Sequence, residues 1–165
     1  VPVFSDECYV EFTWARQPET ILQHSIEGVV VLHSLSKRSN LAGLRVGFYA
    51  GDEEIVNYLK EVRKHVGMLV PGPAQSAAVV ALNDDAHVAV QRNVYKNRLE
   101  KMASVLTKWS GSDGWAFAER LAREGGALVS PGDFYGSGGA NNVRVAVVQP
   151  DDRIALVAER LGRNK

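Results

Sequence analysis

The 165 residues of this chain are enough for a sizeable core, and 45% hydrophobic and 23% charged residues are typical of an ordinary globular protein. The 19 basic and 19 acidic side chains balance, so nothing in the charge favours a nucleic-acid partner. One cysteine excludes an internal disulfide and favours a reducing cytoplasm. No apolar run reaches the roughly 20 residues that span a bilayer, so no membrane partner is expected.

The chain opens on a short apolar stretch, Val1 to Phe4, which predicts a strand of a parallel sheet covered on both faces. A native protein rarely begins inside such a strand, so we expect further residues before Val1. Asp6 follows the strand, and ligands of open α/β sheets gather at the carboxyl ends of strands. The commoner role of such an aspartate is a helix cap. Cys8 is expected to be a small buried residue rather than a reactive thiol.

A second apolar run, residues 29–32, predicts a buried strand that leads into a segment rich in hydroxyls and cations. Ser34, Ser36 and Lys37 follow the strand, and Arg45 lies eight residues after the lysine. Hydroxyls and a guanidinium are good phosphate ligands, and a lysine held among them is a candidate for Schiff-base chemistry. The plainer alternatives are turn capping for the serines and a solvated side chain for Lys37.

Further strands and helices are predicted along the rest of the chain. Residues 48–51 predict a third strand, and Asp52 is expected to cap a helix. Beyond the Pro71-Gly72-Pro73 break, the pattern predicts a small-residue helix over 74–82 and a long helix from Ala86 to about Lys108. We expect a helix over 115–123, strands over 127–129 and 143–147, and a last helix over 152–161. Arg144 interrupts an apolar strand, so it needs an anionic partner, which is either a ligand or an internal carboxylate.

Three motifs in one order resemble class I/II aminotransferases, which depend on pyridoxal phosphate (PLP). They are Ser34-x-Ser36-Lys37 with Arg45, the stretch Ser5 to Tyr9, and the stretch Asn142 to Val145. More narrowly, FSDECYVEFTW, HSLSKRSNLAGLRVGFYAGD, RKHVGMLVPGPAQ and VSPGDFYG resemble the actinobacterial N-succinyldiaminopimelate aminotransferases. The resemblance matches the C-terminal half of such an enzyme. The stretch near 108–115 lacks strands that the family usually has after the long helix, so we expect a missing segment there.

The resemblance implies a fold-type-I α/β architecture with a mostly parallel large domain and a smaller α/β C-terminal domain. Residues 1–85 would belong to the large PLP-binding domain, and residues 86–165 to the linking helix and the small domain. It also implies a homodimer and a ping-pong amino transfer. The implied substrates are N-succinyl-LL-2,6-diaminopimelate and 2-oxoglutarate, in lysine and diaminopimelate synthesis.

The resemblance also implies a role for each site residue. Lys37 would form the Schiff base and move the proton, Asp6 would pair with the pyridinium nitrogen, and Tyr9 would reach the phenolic oxygen. Ser34, Ser36 and Arg45 would lie at the cofactor phosphate, with Ser34 the surer ligand and Ser36 serving to position Lys37. Arg144 would bind the substrate carboxylate, and no metal is implied.

Three alternatives stay open at this point. The same catalytic residues would serve an aspartate, aromatic or kynurenine-type aminotransferase, and a PLP lyase shares the fold. A chain that truly started at Val1 would lack other cofactor contacts of the family, and would then be a non-catalytic remnant.

Overall fold

The computed structural model describes residues 1–107 and 113–163, which divide into two compact units. The first unit runs from Val1 to Arg92 and the second starts at Asn93, so the division falls inside one long helix. Sequence reasoning divides the protein into domains seven residues earlier, after residue 85, and that boundary stays a prediction about the domains of a whole enzyme.

A three-stranded mixed sheet with the order β1-β2-β3 forms the centre of the first unit. Strands β1 (Val3–Asp6) and β2 (Val29–Ser34) are parallel, with Asp6 opposite Leu32. Strand β3 (Gly47–Gly51) is antiparallel to β2, with Gly47 opposite Ser34. Strands β2 and β3 contain the residues predicted for them, whereas β1 begins and ends two residues later than the predicted stretch from Val1 to Phe4.

The two neighbouring strands differ in how deeply their apolar residues are buried. Val29, Val30 and Val31 of β2 are buried, as expected for a central strand. Val3 and Phe4 of β1 are about half exposed, so the expected cover on both faces of this strand is wrong for the described residues. The reason is position, because β1 is an edge strand of this sheet.

Four helices begin in the first unit. The four-residue α1 (Leu35–Arg38) follows β2 directly. The Asp52 carboxylate caps α2 (Glu53–Val66) by accepting from the Ile55 N–H at 3.1 Å. Helix α3 (Gly72–Leu82) starts after Pro71, and Asp84 accepts from the Ala86 N–H at the start of α4 (Ala86–Leu106). Helices α2 and α4 start where the sequence predicts, α3 starts two residues before the predicted Ala74, and the sequence does not predict α1.

A small apolar cluster fixes α1 in the first unit. Leu35 is 1% exposed and packs in one cluster with Val46 and Ala78, which brings the start of α1 against the residue before β3 and against α3. Burying a leucine in this way stabilises the fold by roughly 2 kcal/mol. The residue two positions later, Lys37, is therefore carried on an anchored turn.

The second unit consists mainly of helices. Helix α5 (Gly114–Arg120) is capped by Asp113 and continues as a π-helical turn, Leu121–Gly125. Helix α6 (Asp151–Arg163) buries Ile154 and Leu161. Leu121 and Leu161 form the centre of an apolar cluster with Phe117 and Val157 packed against it, so this cluster joins α5, the π-helical turn and α6.

The strands of the second unit are much shorter than expected. Strand β4 (Ser130–Pro131) pairs antiparallel with β5 (Val143–Arg144), two residues each. The predicted strand over 127–129 is wrong, because Gly126 turns the chain in the left-handed region at φ +68° and Leu128 is 94% exposed. The predicted strand over 143–147 stops after Arg144, since β4 offers only two pairing residues. The segment expected to be missing near 108–115 falls largely on residues outside the described part of the chain.

Candidate active site

The candidate site of the first unit lies at the carboxyl ends of two parallel strands. Asp6 is the last residue of β1, and Ser34, the last residue of β2, lies two positions beyond the partner of Asp6. The Glu7 N–H donates to the Leu32 carbonyl at 2.9 Å, so the pairing continues one residue past β1. Parallel pairing thus brings two motifs separated by almost 30 residues to one sheet edge.

Ser34 links the end of β2 to the turn that carries Lys37. Its Oγ accepts from the Ser36 N–H at 3.1 Å and caps α1. The Leu35 N–H donates to the Val46 carbonyl at 3.1 Å, which ties this turn to the segment that precedes β3. The capping role of Ser34 and the predicted phosphate role are compatible, because its hydroxyl proton is not used by the cap.

Lys37 and Tyr9 are brought together. The half-buried Lys37 side chain places Nζ 5.8 Å from the centroid of the Tyr9 ring, within cation–π range. Tyr9 lies on the loop after β1, and its ring is also in edge contact with Phe12. A lysine amine beside a phenol at a sheet edge can form a covalent bond with a carbonyl compound, and the phenol can exchange a proton with it.

Asp6 is held by its own loop. Its carboxylate accepts from the Cys8 N–H at 3.0 Å, and hydrogen bonds from the Cys8 side chain and backbone lower the Asp6 pKa. A carboxylate that stays ionised suits a partner for a protonated ring nitrogen. Burial, together with the nearby Asp6, raises the Cys8 pKa to about 11. The raised pKa agrees with the expectation of an unreactive thiol, but Cys8 is only partly buried and not buried as expected.

Arg45 stands at the entrance to β3 in an unusual backbone conformation. Its φ of +54° lies in the left-handed region, which non-glycine residues rarely adopt. Its guanidinium donates to the Ala42 carbonyl at 3.3 Å, and the side chain is exposed. Ser34 pairs with Gly47, which is two residues after Arg45. At Gly47 a Cβ would meet the His33 carbonyl at 2.6 Å, so this close approach of β3 to β2 requires glycine.

Arg144 belongs to the second unit. It lies in β5 opposite Ser130, its Nη1 donates to the Tyr135 hydroxyl at 3.2 Å, and its guanidinium lies 5.3 Å from the Tyr135 ring centroid. Hydrogen bonds from Ser130 and then Arg144 lower the Tyr135 pKa. Arg144, the charged strand residue of the prediction, is exposed, and its guanidinium is hydrogen-bonded to the Tyr135 hydroxyl. A carboxylate ligand can approach a guanidinium in this position.

Sequence reasoning missed several polar residues that fix the first unit. Arg38, which follows Lys37 and carries no role in the motif, donates to the Ala81 carbonyl at 3.0 Å and pairs with Asp85 at 2.5 Å. Arg92 donates to the Glu11 carbonyl at 2.7 Å and to the Thr13 carbonyl. Both arginines bind partners more than 40 residues away, which no local pattern reveals.

Glu7 is the other residue that sequence reasoning missed, since it stands inside a motif read only for Asp6 and Tyr9. Its side chain is buried and lies 3.5 Å from His33 Nε2. The signal in the sequence was an acidic pair, Asp6-Glu7, of which only one member had an assigned role.

The residues present fit the chemistry of PLP. A carboxylate with a lowered pKa suits the ring nitrogen, and a lysine beside a phenol suits the aldehyde carbon. The Ser34 hydroxyl and the Arg45 guanidinium are groups that bind phosphate, and Arg45 lies two residues before Gly47, the strand partner of Ser34. Within residues 1–107 and 113–163, no group of three His, Cys, Asp or Glu side chains could hold a metal ion. No helix in the same ranges combines the length and the hydropathy needed to cross a membrane.

Comparison with known proteins agrees with this chemistry. The model of the family "Aminotransferase class I and II" matches residues 1–119. The chain is 43% identical to a probable aminotransferase of Mycobacterium tuberculosis over 98% of this chain and 43% of that protein. It is 42% identical to the 4-dedimethylamino-4-oxo-anhydrotetracycline transaminase of Streptomyces rimosus over 95% of this chain and 49% of that protein.

Solved structures show the same fold. An aminotransferase from Neisseria meningitidis superimposes with a TM-score of 0.85 at 29% identity, over 99% of this chain and 49% of that one. An aminotransferase from Staphylococcus aureus gives a TM-score of 0.84 at 27% identity, over 98% and 49%. The chain thus spans about half the length of the relatives that it matches, and its fold is the expected fold type I. It belongs to the class I and II aminotransferases, a family that uses pyridoxal phosphate and acts on amino acids and oxo acids.

Proposed function

We propose that this chain carries the lysine-bearing part of a PLP-dependent aminotransferase site. One observation supports this most directly, namely that Lys37 Nζ lies 5.8 Å from the Tyr9 ring at the ends of two parallel strands. When bound, the cofactor supplies an electron-accepting ring beside the amino group of the substrate. All other steps fall to residues of the protein.

In this proposal each residue has a separate task. Lys37 holds the cofactor covalently and, once released, carries a proton to and from the substrate carbon. Asp6 keeps the ring nitrogen protonated, and Tyr9 donates to the phenolic oxygen. Ser34 and Arg45 bind the phosphate, while Ser36 positions the lysine turn through its N–H bond to Ser34.

We propose N-succinyl-LL-2,6-diaminopimelate as amino donor and 2-oxoglutarate as acceptor, in a ping-pong reaction of lysine and diaminopimelate synthesis. The resemblance of four sequence stretches to that group supports this choice. Similarity to an LL-diaminopimelate aminotransferase of Aquifex aeolicus, at 31% identity, supports a diaminopimelate-type substrate. Arg144 would bind a substrate carboxylate through its planar fork.

A second candidate is amino transfer to another substrate. The Streptomyces rimosus relative is a transaminase of an oxo-anhydrotetracycline, and its 42% identity exceeds that of the Aquifex aeolicus protein. Aspartate, aromatic and kynurenine-type donors belong to the same alternative, as does a chain without activity of its own. For the whole protein we propose a cytoplasmic homodimer, with residues 1–85 in the large domain and 86–165 in the linking helix and small domain.

The test is absorbance of the purified chain with added PLP, followed by borohydride reduction and peptide mapping. We expect a visible band and a label fixed on Lys37. A panel of amino donors with 2-oxoglutarate then ranks N-succinyl-LL-2,6-diaminopimelate against aspartate and aromatic amino acids. A label spread over exposed lysines such as Lys60 and Lys64, with none on Lys37, would contradict the proposal.

A further inference from the structure

Glu7 is a buried acid between the two residues of the loop that face the candidate site. Among the described residues, its side chain at 7% exposure is the one buried carboxylate. Removing a carboxylate from water destabilises a fold unless partners compensate. At Glu7 one oxygen is compensated, because Oε1 accepts from the Ile21 N–H at 2.9 Å, whereas the buried Oε2 has no hydrogen-bond partner among the described residues and lies 3.5 Å from His33 Nε2, within ion-pairing distance.

His33 connects this acid to the strand that leads to Lys37. It is the residue before Ser34 in β2, and its ring stacks on the ring of its strand partner Phe48 at 4.9 Å between centroids. The stack fixes the plane of the imidazole, and the pairing of β2 with β3 fixes the position of the His33 backbone in the sheet. The Glu7 carboxylate therefore lies within ion-pairing distance of a side chain that is fixed in the sheet.

The consequence concerns Tyr9, two residues after Glu7. The loop from Asp6 to Tyr9 is tied at one end by the β1–β2 pairing, and Glu7 ties it again through a side chain to β2. We propose that Glu7 and His33 form a positioning pair, which holds this loop against β2 and so keeps Tyr9 beside Lys37. Neither residue need touch the cofactor. The role toward the cofactor rests on the proposed function, whereas the restraint on the loop is a property of the chain itself.

A cysteine in this loop allows its opening to be measured. Cys8 is the single cysteine of the protein, it lies between Glu7 and Tyr9, and its Sγ is 3.8 Å from the Leu32 carbonyl. If the positioning pair holds the loop, breaking the pair exposes Cys8 to reagents more often. The rate of alkylation by iodoacetamide, measured on the chain without cofactor, therefore reads the loop directly.

The substitutions are Glu7→Gln, His33→Gln and both together. Glu7→Gln keeps the acceptor for the Ile21 N–H while it removes the charge. Each single variant should alkylate roughly 2- to 10-fold faster, the effect of losing one ion-pair contact that is not also a hydrogen bond. The double variant should be no faster than the faster single one, because the two residues act together. Glu27→Gln and His24→Gln, which change exposed residues of the same types, should match the wild type.

Two further measurements separate positioning from general loosening. Circular dichroism must show that the variants remain folded, and His33→Gln serves if Glu7→Gln does not fold. A PLP titration should show weaker binding and a shifted pH midpoint of the visible band in both single variants. Unchanged alkylation in folded variants would overturn the proposal, as would strictly multiplicative effects in the double variant. Where the wild type binds PLP, faster alkylation with unchanged PLP binding and spectrum would overturn it too.

The outcome also distinguishes this inference from the proposed function. If the wild type binds no PLP yet both single variants alkylate faster, the restraint on the loop stands and the proposed function fails. If the wild type binds PLP on Lys37 and the variants alkylate at its rate, the proposed function stands and the positioning pair fails.

Discussion

The two units of the chain place their candidate site residues by different means. In the first unit, continuous strands set the positions of Asp6 and Ser34 through backbone register, and a buried leucine anchors the turn of Lys37. In the second unit, Arg144 stands in a strand of two residues and is held by the side chain of Tyr135. Backbone pairing fixes a residue more firmly than one side-chain contact, and under the proposed function this difference would suit the first unit to covalent chemistry and the second to reversible binding of a ligand.

The largest effect expected from this comparison is at Lys37. Lys37→Ala should abolish the covalent cofactor band and lower amino transfer by about 10³-fold or more, because a positioned acid–base group contributes about 10²- to 10⁴-fold. Initial rates and peptide mapping after borohydride measure both effects. Lys60→Ala on the exposed face of α2 is the control and should behave as the wild type. Activity that survives Lys37→Ala would show that the covalent chemistry lies elsewhere.

The second prediction compares the apolar anchors of the two units. Leu35→Ala and Leu161→Ala should each lower the free energy of unfolding by about 2–5 kcal/mol, because each leucine is almost fully buried. Only Leu35→Ala should also weaken PLP binding, since Leu35 lies on the turn of Lys37. Urea unfolding and PLP titration measure the two effects. Leu128→Ala, at a leucine that is 94% exposed, should change stability by less than about 0.5 kcal/mol. Equal PLP affinities in the two core variants would remove the distinction between the units.

The third prediction tests reversible binding in the second unit. Arg144→Gln should raise the KM for the 2-oxo acid by roughly 10- to 100-fold and change kcat less, because a charged hydrogen-bonding contact to the substrate is lost. Tyr135→Phe should raise KM only about 2- to 10-fold, since it removes one neutral donor–acceptor contact that orients the guanidinium.

Steady-state kinetics measure these constants. The control is Arg123→Gln, which removes an exposed arginine paired with Glu119 and should leave KM unchanged. A fall in kcat with KM unchanged would assign Arg144 to the chemical step and contradict this division of roles.

The sequence predicts much more of the first unit than of the second, for physical reasons. Apolar runs such as residues 29–32 are local signals, and Ser34-x-Ser36-Lys37 is read within four residues. Asp52 at the start of α2 is also a local signal. The two-residue pairing of Ser130 with Arg144 depends on a partner 14 residues away, and the hydropathy of residues 127–129 gives no hint of it. The partners of Glu7 and Arg38 depend on the folded chain in the same way, so the sequence placed the motifs but not the polar contacts that hold them.

The smallest expected effect concerns pKa values, which are shifted in opposite directions at Cys8 of the first unit and Tyr135 of the second. Burial and the Asp6 carboxylate disfavour the Cys8 thiolate and raise its pKa from 9.0 to about 11, whereas hydrogen bonds from Ser130 and Arg144 lower the Tyr135 pKa. The iodoacetamide rate at Cys8 should therefore keep rising about tenfold per pH unit up to about pH 10, because only the thiolate reacts. An ordinary thiol would level off near its pKa of 9.0. Asp6→Asn should move the curve only part of the way, since burial is the larger cause. A plateau near pH 9 in the wild type would mean that the loop between Asp6 and Tyr9 opens readily, and the first unit would then hold its site no more firmly than the second.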